Sequence, residues 1–156
     1  MPGTVLITGA NRGLGLEHSR QFAERDWRVI ACARNPESAS ELRVLQRAFP
    51  ARVQLLPLDV TSEGSVKELV RELAGMPIDI LLNNAGTYGP LPAPEGMAYQ
   101  SLVNMDYALW REMLEINLLA PFRLTVALAP NLRASQRRTV VMMTSDLGSI
   151  SNNTLG

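Results

Sequence analysis

Residues able to do chemistry gather in five short segments of this 156-residue chain. The first is Thr8-Gly9-Ala10-Asn11-Arg12-Gly13-Leu14-Gly15, between an apolar run and a segment of helical periodicity. A strand that breaks into glycines and then opens a helix builds a phosphate cradle. The first N–H groups of a helix have no intrahelical partner, and the helix dipole adds partial positive charge there. Glycine lets the backbone turn sharply and meet an anion without a Cβ in the way. The spacing is Gly-x-x-x-Gly-x-Gly, not the Gly-x-Gly-x-x-Gly of the best-known dinucleotide fingerprint. A glycine-rich loop with no ligand is the plain alternative.

Asp59 closes the third apolar run. Its carboxylate could accept a hydrogen bond from an adenine amino group, or Asp59 or Thr61 could cap the next helix. Asn83-Asn84-Ala85-Gly86 closes the fourth run. Its small residues would let a nucleotide sugar pack on the backbone, and its asparagines could tie adjacent strands together. Asn117 stands among Ile116, Leu118 and Leu119 on a helix, where an amide is costly unless it finds partners. Ser145 ends the fifth run, in Thr144-Ser145-Asp146-Leu147-Gly148.

The elements that must position these residues alternate in type. Apolar, β-branched runs at 4–8, 28–33, 53–58, 78–82 and 139–144 read as strands covered on both faces. Helical segments fall at 13–25, 36–49, 62–74 and 105–129. The third carries a stripe of Val66, Leu69, Val70 and Leu73. Asn35-Pro36 predicts a cap and a first-turn proline for the second, and Pro121 predicts a kink or break in the fourth. This βαβ alternation predicts an α/β fold: one doubly wound parallel sheet with helices on both faces, a single domain over 1–156. The irregular stretch 87–104, with Pro90, Pro92, Pro94, Gly89 and Gly96, reads as a lid, a substrate-side loop or a plain surface connection.

Composition narrows the partners. Lys+Arg and Asp+Glu balance at 15 each, so no charge excess invites a nucleic acid, and Arg137-Arg138 reads as a solvated face. The lone cysteine, Cys32, excludes an internal disulfide, sits in an apolar run as a core residue and fits a reducing cytoplasm. No apolar run reaches membrane-spanning length, the first strand starts too soon after Met1 for a leader peptide, and no metal site is expected.

Together the motifs resemble the short-chain dehydrogenase/reductase family. Thr8-Gly9-x-x-x-Gly13-x-Gly15, Asp59-Val60, Asn83-Asn84-Ala85-Gly86, Asn117 and Ser145-x-x-Gly148 match its glycine, adenine-side, Asn-Asn-Ala-Gly, helix-asparagine and serine motifs in order. The tail from Thr144 looks most like the C-factor and Sniffer-like carbonyl reductases. The resemblance implies a Rossmann fold and hydride transfer between a nicotinamide cofactor and a small carbonyl or alcohol substrate. It implies that Gly9, Asn11, Arg12, Gly13, Leu14, Gly15, Arg34, Asp59, Val60, Asn83, Ala85 and Gly86 bind the cofactor. Ser145 would orient the substrate oxygen, and Asn117 would support a proton-relay water. Relatives commonly pair through their fourth and fifth helices, so a homo-oligomer is possible.

Charge points to the cofactor's type. NAD-preferring relatives end the second strand with an acid that binds the ribose 2′-hydroxyl, whereas an arginine accommodates the 2′-phosphate of NADP. Here Ala33 stands at the acid's position, Arg34 follows, and Arg12 adds a second cation, which favours NADP. A solvated loop arginine is the alternative for Arg34.

The family's general acid/base tyrosine and the lysine four residues later, expected a dozen or so residues past Ser145, do not occur. Tyr88, Tyr99 and Tyr107 all precede Ser145, none has a lysine four residues on, and the one lysine is Lys67. The expectation is therefore a truncated chain or incomplete reading frame, lacking the family's C-terminal strands, with the fifth strand as an exposed edge. Three functions stay open: an NADPH-dependent carbonyl reductase of which this is the cofactor-binding part, a non-catalytic nucleotide-binding or signalling protein, and a structural fragment.

Overall fold

Strands β1 (Thr4–Thr8) and β2 (Arg28–Ala33) form the centre of a parallel sheet, because nearly every side chain on them is apolar. A computed structural model describes residues 2–89, 103–104, 106–145, 148–149 and 151. Around the central pair the chain adds α1 (Gly13–Glu24), α2 (Ser40–Ala48), β3 (Val53–Pro57), α3 (Glu63–Glu72) and β4 (Ile80–Asn83). Then come α4 (Tyr107–Leu114), a π-helical segment (Glu115–Leu119), α5 (Ala120–Ala127), α6 (Ala129–Ala134) and β5 (Thr139–Met142). The five strands lie in the order β3-β2-β1-β4-β5, all parallel. The order reverses between β1 and β4, which is where open sheets of this kind hold ligands.

Alternation along β1 and β2 fills two cores. Leu6, Ile30 and Cys32 face Leu69 of α3, Leu73 just after it, and Leu124 of α5. Val5, Ile7, Val29 and Ala31 face the other way, against Ala23 of α1 and Leu42 and Leu45 of α2. Each fully buried leucine or isoleucine is worth about 1.5–3 kcal/mol, so this double coverage fixes the sheet. A polar clamp closes its lower edge. The Thr4 N–H donates to Asp79 Oδ2 and the Ser135 hydroxyl to Oδ1, both at 2.7 Å.

The expected elements are present with corrected boundaries. β3 stops at Pro57 rather than 58, β4 starts at Ile80 rather than 78, and β5 stops at Met142 rather than 144. Pro36 opens a short 3₁₀ turn, Pro36–Ser38, and α2 follows at Ser40. The Asn35 side chain makes no cap; its carbonyl accepts from the Ser38 N–H and hydroxyl instead. The fourth helical segment is not one helix but four pieces. Pro121 cannot donate into the helical ladder, and the turns before it widen into i→i+5 bonding, with the Ala120 N–H on the Glu115 carbonyl. The prolines of the 87–104 loop, Gly96, Tyr99, Asp146 and residues 152–156 lie outside the described residues.

Candidate active site

The glycines of the cradle differ in what they do. Gly9 and Gly13 adopt φ of +64° and +55°, which side chains rarely tolerate. A Cβ on Gly15 would stand 2.3 Å from the Gly9 carbonyl oxygen and 2.5 Å from Asn84 Nδ2, so α1 packs on the turn only because no side chain intervenes. A Cβ on Gly13 would meet nothing within 4 Å, so its backbone faces open space.

Asn11, Arg12, Gly13 and Leu14 are exposed, while Gly15 is buried. The helix N-termini fall into two kinds. Ser62 caps α3 by accepting from the Ser65 N–H, and Asp106 caps α4 by accepting from the Ala108 and Leu109 N–H groups. No side chain caps α1, and no acid lies in its first turn. Its end is open to an external anion at the reversal of strand order.

On the β2–β3 side, Ala33 is buried and Arg34 exposed. Asp59 accepts from both the hydroxyl (2.7 Å) and the N–H (3.0 Å) of Thr61, bracing the turn that leads to the Ser62 cap. Those bonds, with the charge of Arg34 nearby, outweigh burial and hold its carboxyl below the usual value. Val60 packs half-buried against the core.

Beyond β4, the Thr8 hydroxyl accepts from the N–H groups of Asn84 (3.0 Å) and Ala85 (2.9 Å). Asn84 Nδ2 donates to the carbonyls of Thr8 (2.9 Å) and Gly9 (3.2 Å), so it ties the β4 end to the glycine turn. Asn83 turns the other way, buried, with Nδ2 3.4 Å from Thr125 Oγ1 on α5. Asn117 finds two partners on one residue. Its Oδ1 accepts from the Thr87 N–H at 2.9 Å and its Nδ2 donates to the Thr87 carbonyl at 2.8 Å. Gly86 keeps this approach possible, since a Cβ there would be 3.2 Å from Asn117 Oδ1.

A hollow of about 110 Å³ lies where these segments meet, lined by Asn84, Gly86, Asn117, Pro121, Met142 and Met143 among others. Ser145 follows two residues later, exposed, with its carbonyl accepting from the Gly148 N–H at 2.9 Å. A larger groove of about 480 Å³ lies elsewhere, between α1 and α2.

The motif residues thus converge on the carboxyl ends of β1, β2, β3 and β4. The sequence places Thr8 in the glycine motif without a role of its own, and it does not mark Thr87 or Arg123, whose guanidinium contacts Glu115 and the Thr61 carbonyl. Thr8 was legible as a lone hydroxyl in an apolar strand just before the turn. Thr87 acts through its backbone, and Arg123 through a helix irregularity, so neither left a local signal. Burial pushes the Cys32 thiol up to about 12, as suits a core residue. Among the described residues no three His, Cys, Asp or Glu side chains could share a metal, and no helix is long and apolar enough to cross a membrane.

The model of the short chain dehydrogenase family matches residues 3–155. The (+)-neomenthol dehydrogenase of Arabidopsis thaliana is 30% identical over 97% of this chain and 56% of its own length. A carbonyl reductase of Pseudomonas aeruginosa in complex with NADP superposes with a TM-score of 0.80, at 28% identity, over 97% of this chain and 62% of that one. Sniffer of Caenorhabditis elegans gives 0.83 at 31% identity, over 100% and 69%. The chain spans about half the length of the curated relatives it matches. With a family match along nearly all of its residues, the chain belongs to the short-chain dehydrogenase family.

Proposed function

We propose that this single domain is the cofactor-binding part of an NADP(H)-dependent oxidoreductase acting on a small carbonyl or alcohol substrate. One observation carries the reading: α1 begins with no side-chain cap and no acid, and its rim offers Arg12 and Arg34 with Ala33 where an acid would stand. In this reading Gly9, Asn11, Gly13, Leu14 and Gly15 receive the pyrophosphate, and Arg12 and Arg34 receive the 2′-phosphate. Asp59 and Val60 flank the adenine, while Ala85 and Gly86 leave room for the ribose. The open space at Gly13 fits such a group, since a side chain there would occupy it.

The cofactor, when bound, supplies or accepts hydride at its nicotinamide. The chain's own residues bind, orient and position. Ser145 donates a hydrogen bond to the substrate oxygen, and Asn117 supports proton delivery. Asn83 lies at the cofactor's side of β4, and its amide, which faces Thr125, anchors that strand to α5.

No Tyr-x-x-x-Lys pair occurs in these 156 residues. A lone tyrosine has a pKa near ~10 and is a poor base at neutral pH, so proton transfer needs a group that the five motifs do not provide. A second reading is a non-catalytic nucleotide-binding or signalling role in the cytoplasm, for which the uncapped start of α1 is equally suited. The exposed apolar face of α4 and α5 would serve pairing with a second copy.

Titration calorimetry with NADPH and NADH tests the cofactor assignment. Arg34→Asp should weaken NADPH at least about tenfold and NADH less than about threefold, as expected for losing a charge-assisted hydrogen bond to phosphate. Equal losses, or no NADPH binding by the unaltered chain, would overturn it. NADPH oxidation with a panel of aldehydes and ketones tests the second reading: turnover by the chain would overturn a non-catalytic role.

A further inference from the structure

We propose that Arg123 is a positioning residue: one guanidinium holds the Asn117-bearing π turn against the turn that flanks the cofactor's adenine side. The link to the cofactor rests on the function proposed above, but the brace itself does not.

The π segment needs outside support. Its i→i+5 bonding is rare and occurs mostly as single turns, and Pro121 removes a donor just beyond it. Glu115 opens the segment, and Arg123 stands on α5 two residues past Pro121. Arg123 Nη2 meets Glu115 Oε1 at 2.5 Å, so the pair spans the whole irregular stretch, with both side chains about one-third exposed (32% and 30%). A second donor, Nη1, reaches the Thr61 carbonyl at 3.4 Å. Thr61 is itself fixed by Asp59 through its N–H and hydroxyl.

Asn117 lies inside the braced stretch, and its task tolerates little movement. Its two bonds to Thr87 demand one position and one orientation of the amide. A slip of one residue along a helix rotates a side chain by about 100°, which would carry the amide away from Thr87. The planar fork of arginine suits the role, because it can point separate donors at a carboxylate and a carbonyl. The turn after β3 and the turn of Asn117 are therefore joined outside the sheet, from Asp59 through Thr61, Arg123 and Glu115.

Amide hydrogen exchange read by NMR on the full chain tests the brace, because the Thr87 N–H is protected by Asn117 itself. Arg123→Met keeps the aliphatic stem and removes both contacts. Thr87 exchange should rise about tenfold while amides in β1 and β2 keep their rates, as for a local opening. Arg123→Lys retains a cation for Glu115 and should restore part of the protection. Glu115→Gln, a change of little volume, should raise Thr87 exchange about threefold and provides the same readout if Arg123→Met does not fold. Thr87 exchange within about twofold of the unaltered chain, or a rise shared equally by β1 and β2, would overturn the proposal. NADPH titration of the unaltered chain judges the cofactor reading separately: failure there with a Thr87 response leaves the brace standing without its adenine-side role.

Discussion

The two flanks of the sheet carry strands of similar apolar character, yet they end differently. On the β2–β3 flank, α1 and α2 cover the sheet and turn charge outward, with Arg20 paired to Glu17 and Glu24. On the β5 flank, Val140, Met142 and Met143 are exposed, and α4, the π segment and α5 turn Tyr107, Trp110, Leu114, Leu118, Phe122 and Val126 outward. Those last six recur every three or four residues, a continuous stripe along one side of the helices. Isolated exposed apolar residues are ordinary, but a stripe of six with an exposed edge strand is more apolar surface than scattered residues make. The nucleotide flank is finished by its own residues; the β5 flank is not.

The sharpest way to break that contrast is to substitute both sides of one helix. Leu124→Ala, in the core side of α5, should cost about 2–5 kcal/mol in denaturant unfolding. Val126→Ala, on the stripe, should cost less than about 0.5 kcal/mol. Comparable losses at both positions would mean that the stripe is covered in solution. Next in size is Gly15→Ala on the finished flank. Its methyl group would press on the Gly9 carbonyl and Asn84, so a loss of about 1–3 kcal/mol is expected together with impaired NADPH binding.

Acid sharpens the contrast less. Burial raises the Asp79 carboxyl, but hydrogen bonds from Thr4 and Ser135 and the charge of Arg137 outweigh it and hold it below its ordinary value. Asp59 is lowered too, by Thr61. A carboxyl whose folded pKa lies below its unfolded one stabilises fully above the unfolded value, about 3.9 for Asp, and ceases to do so as pH falls through the folded one. Unfolding titrations should therefore be insensitive to these two groups from pH ~7 to ~5 and decline below pH ~4, with a shallower decline in Asp79→Asn. The smallest effect on stability, under about 0.5 kcal/mol, is expected for Phe122→Lys, whose readout is sedimentation. If the stripe pairs copies of the chain, this variant shifts the population toward monomer; an unchanged distribution removes the stripe from that role.

How much of this was legible depended on whether the constraint is local. The glycine turn was readable because positive φ and close approach admit few residues, and both show in spacing alone. The doubly wound parallel sheet followed from the alternation of elements. Asn83 and Asn84 could not be sorted so directly, yet the two-residue alternation of a strand sends one toward α5 and the other toward the glycine turn. The breaks in the fourth helical segment were readable only at Pro121. The π bonding that precedes it has no residue-type signature of its own, and the separate α6, where Asn131 Nδ2 donates to the carbonyls of Leu73 and Met76, has partners more than fifty residues away. Composition alone does not separate the covered β2 from the exposed β5, because it describes a surface and not what lies against it; the expectation of an exposed fifth strand comes from the family resemblance, and Val140 and Met142 are indeed exposed.

Cys32 gives the molecule a practical property. It is the chain's single thiol, fully enclosed between β1 and β3, and held protonated by its surroundings. Thiol-directed dyes or spin labels should therefore ignore the native chain. A cysteine introduced at Val126 would then be the sole reactive handle, and its labelling rate a direct gauge of whether anything shelters the β5 flank.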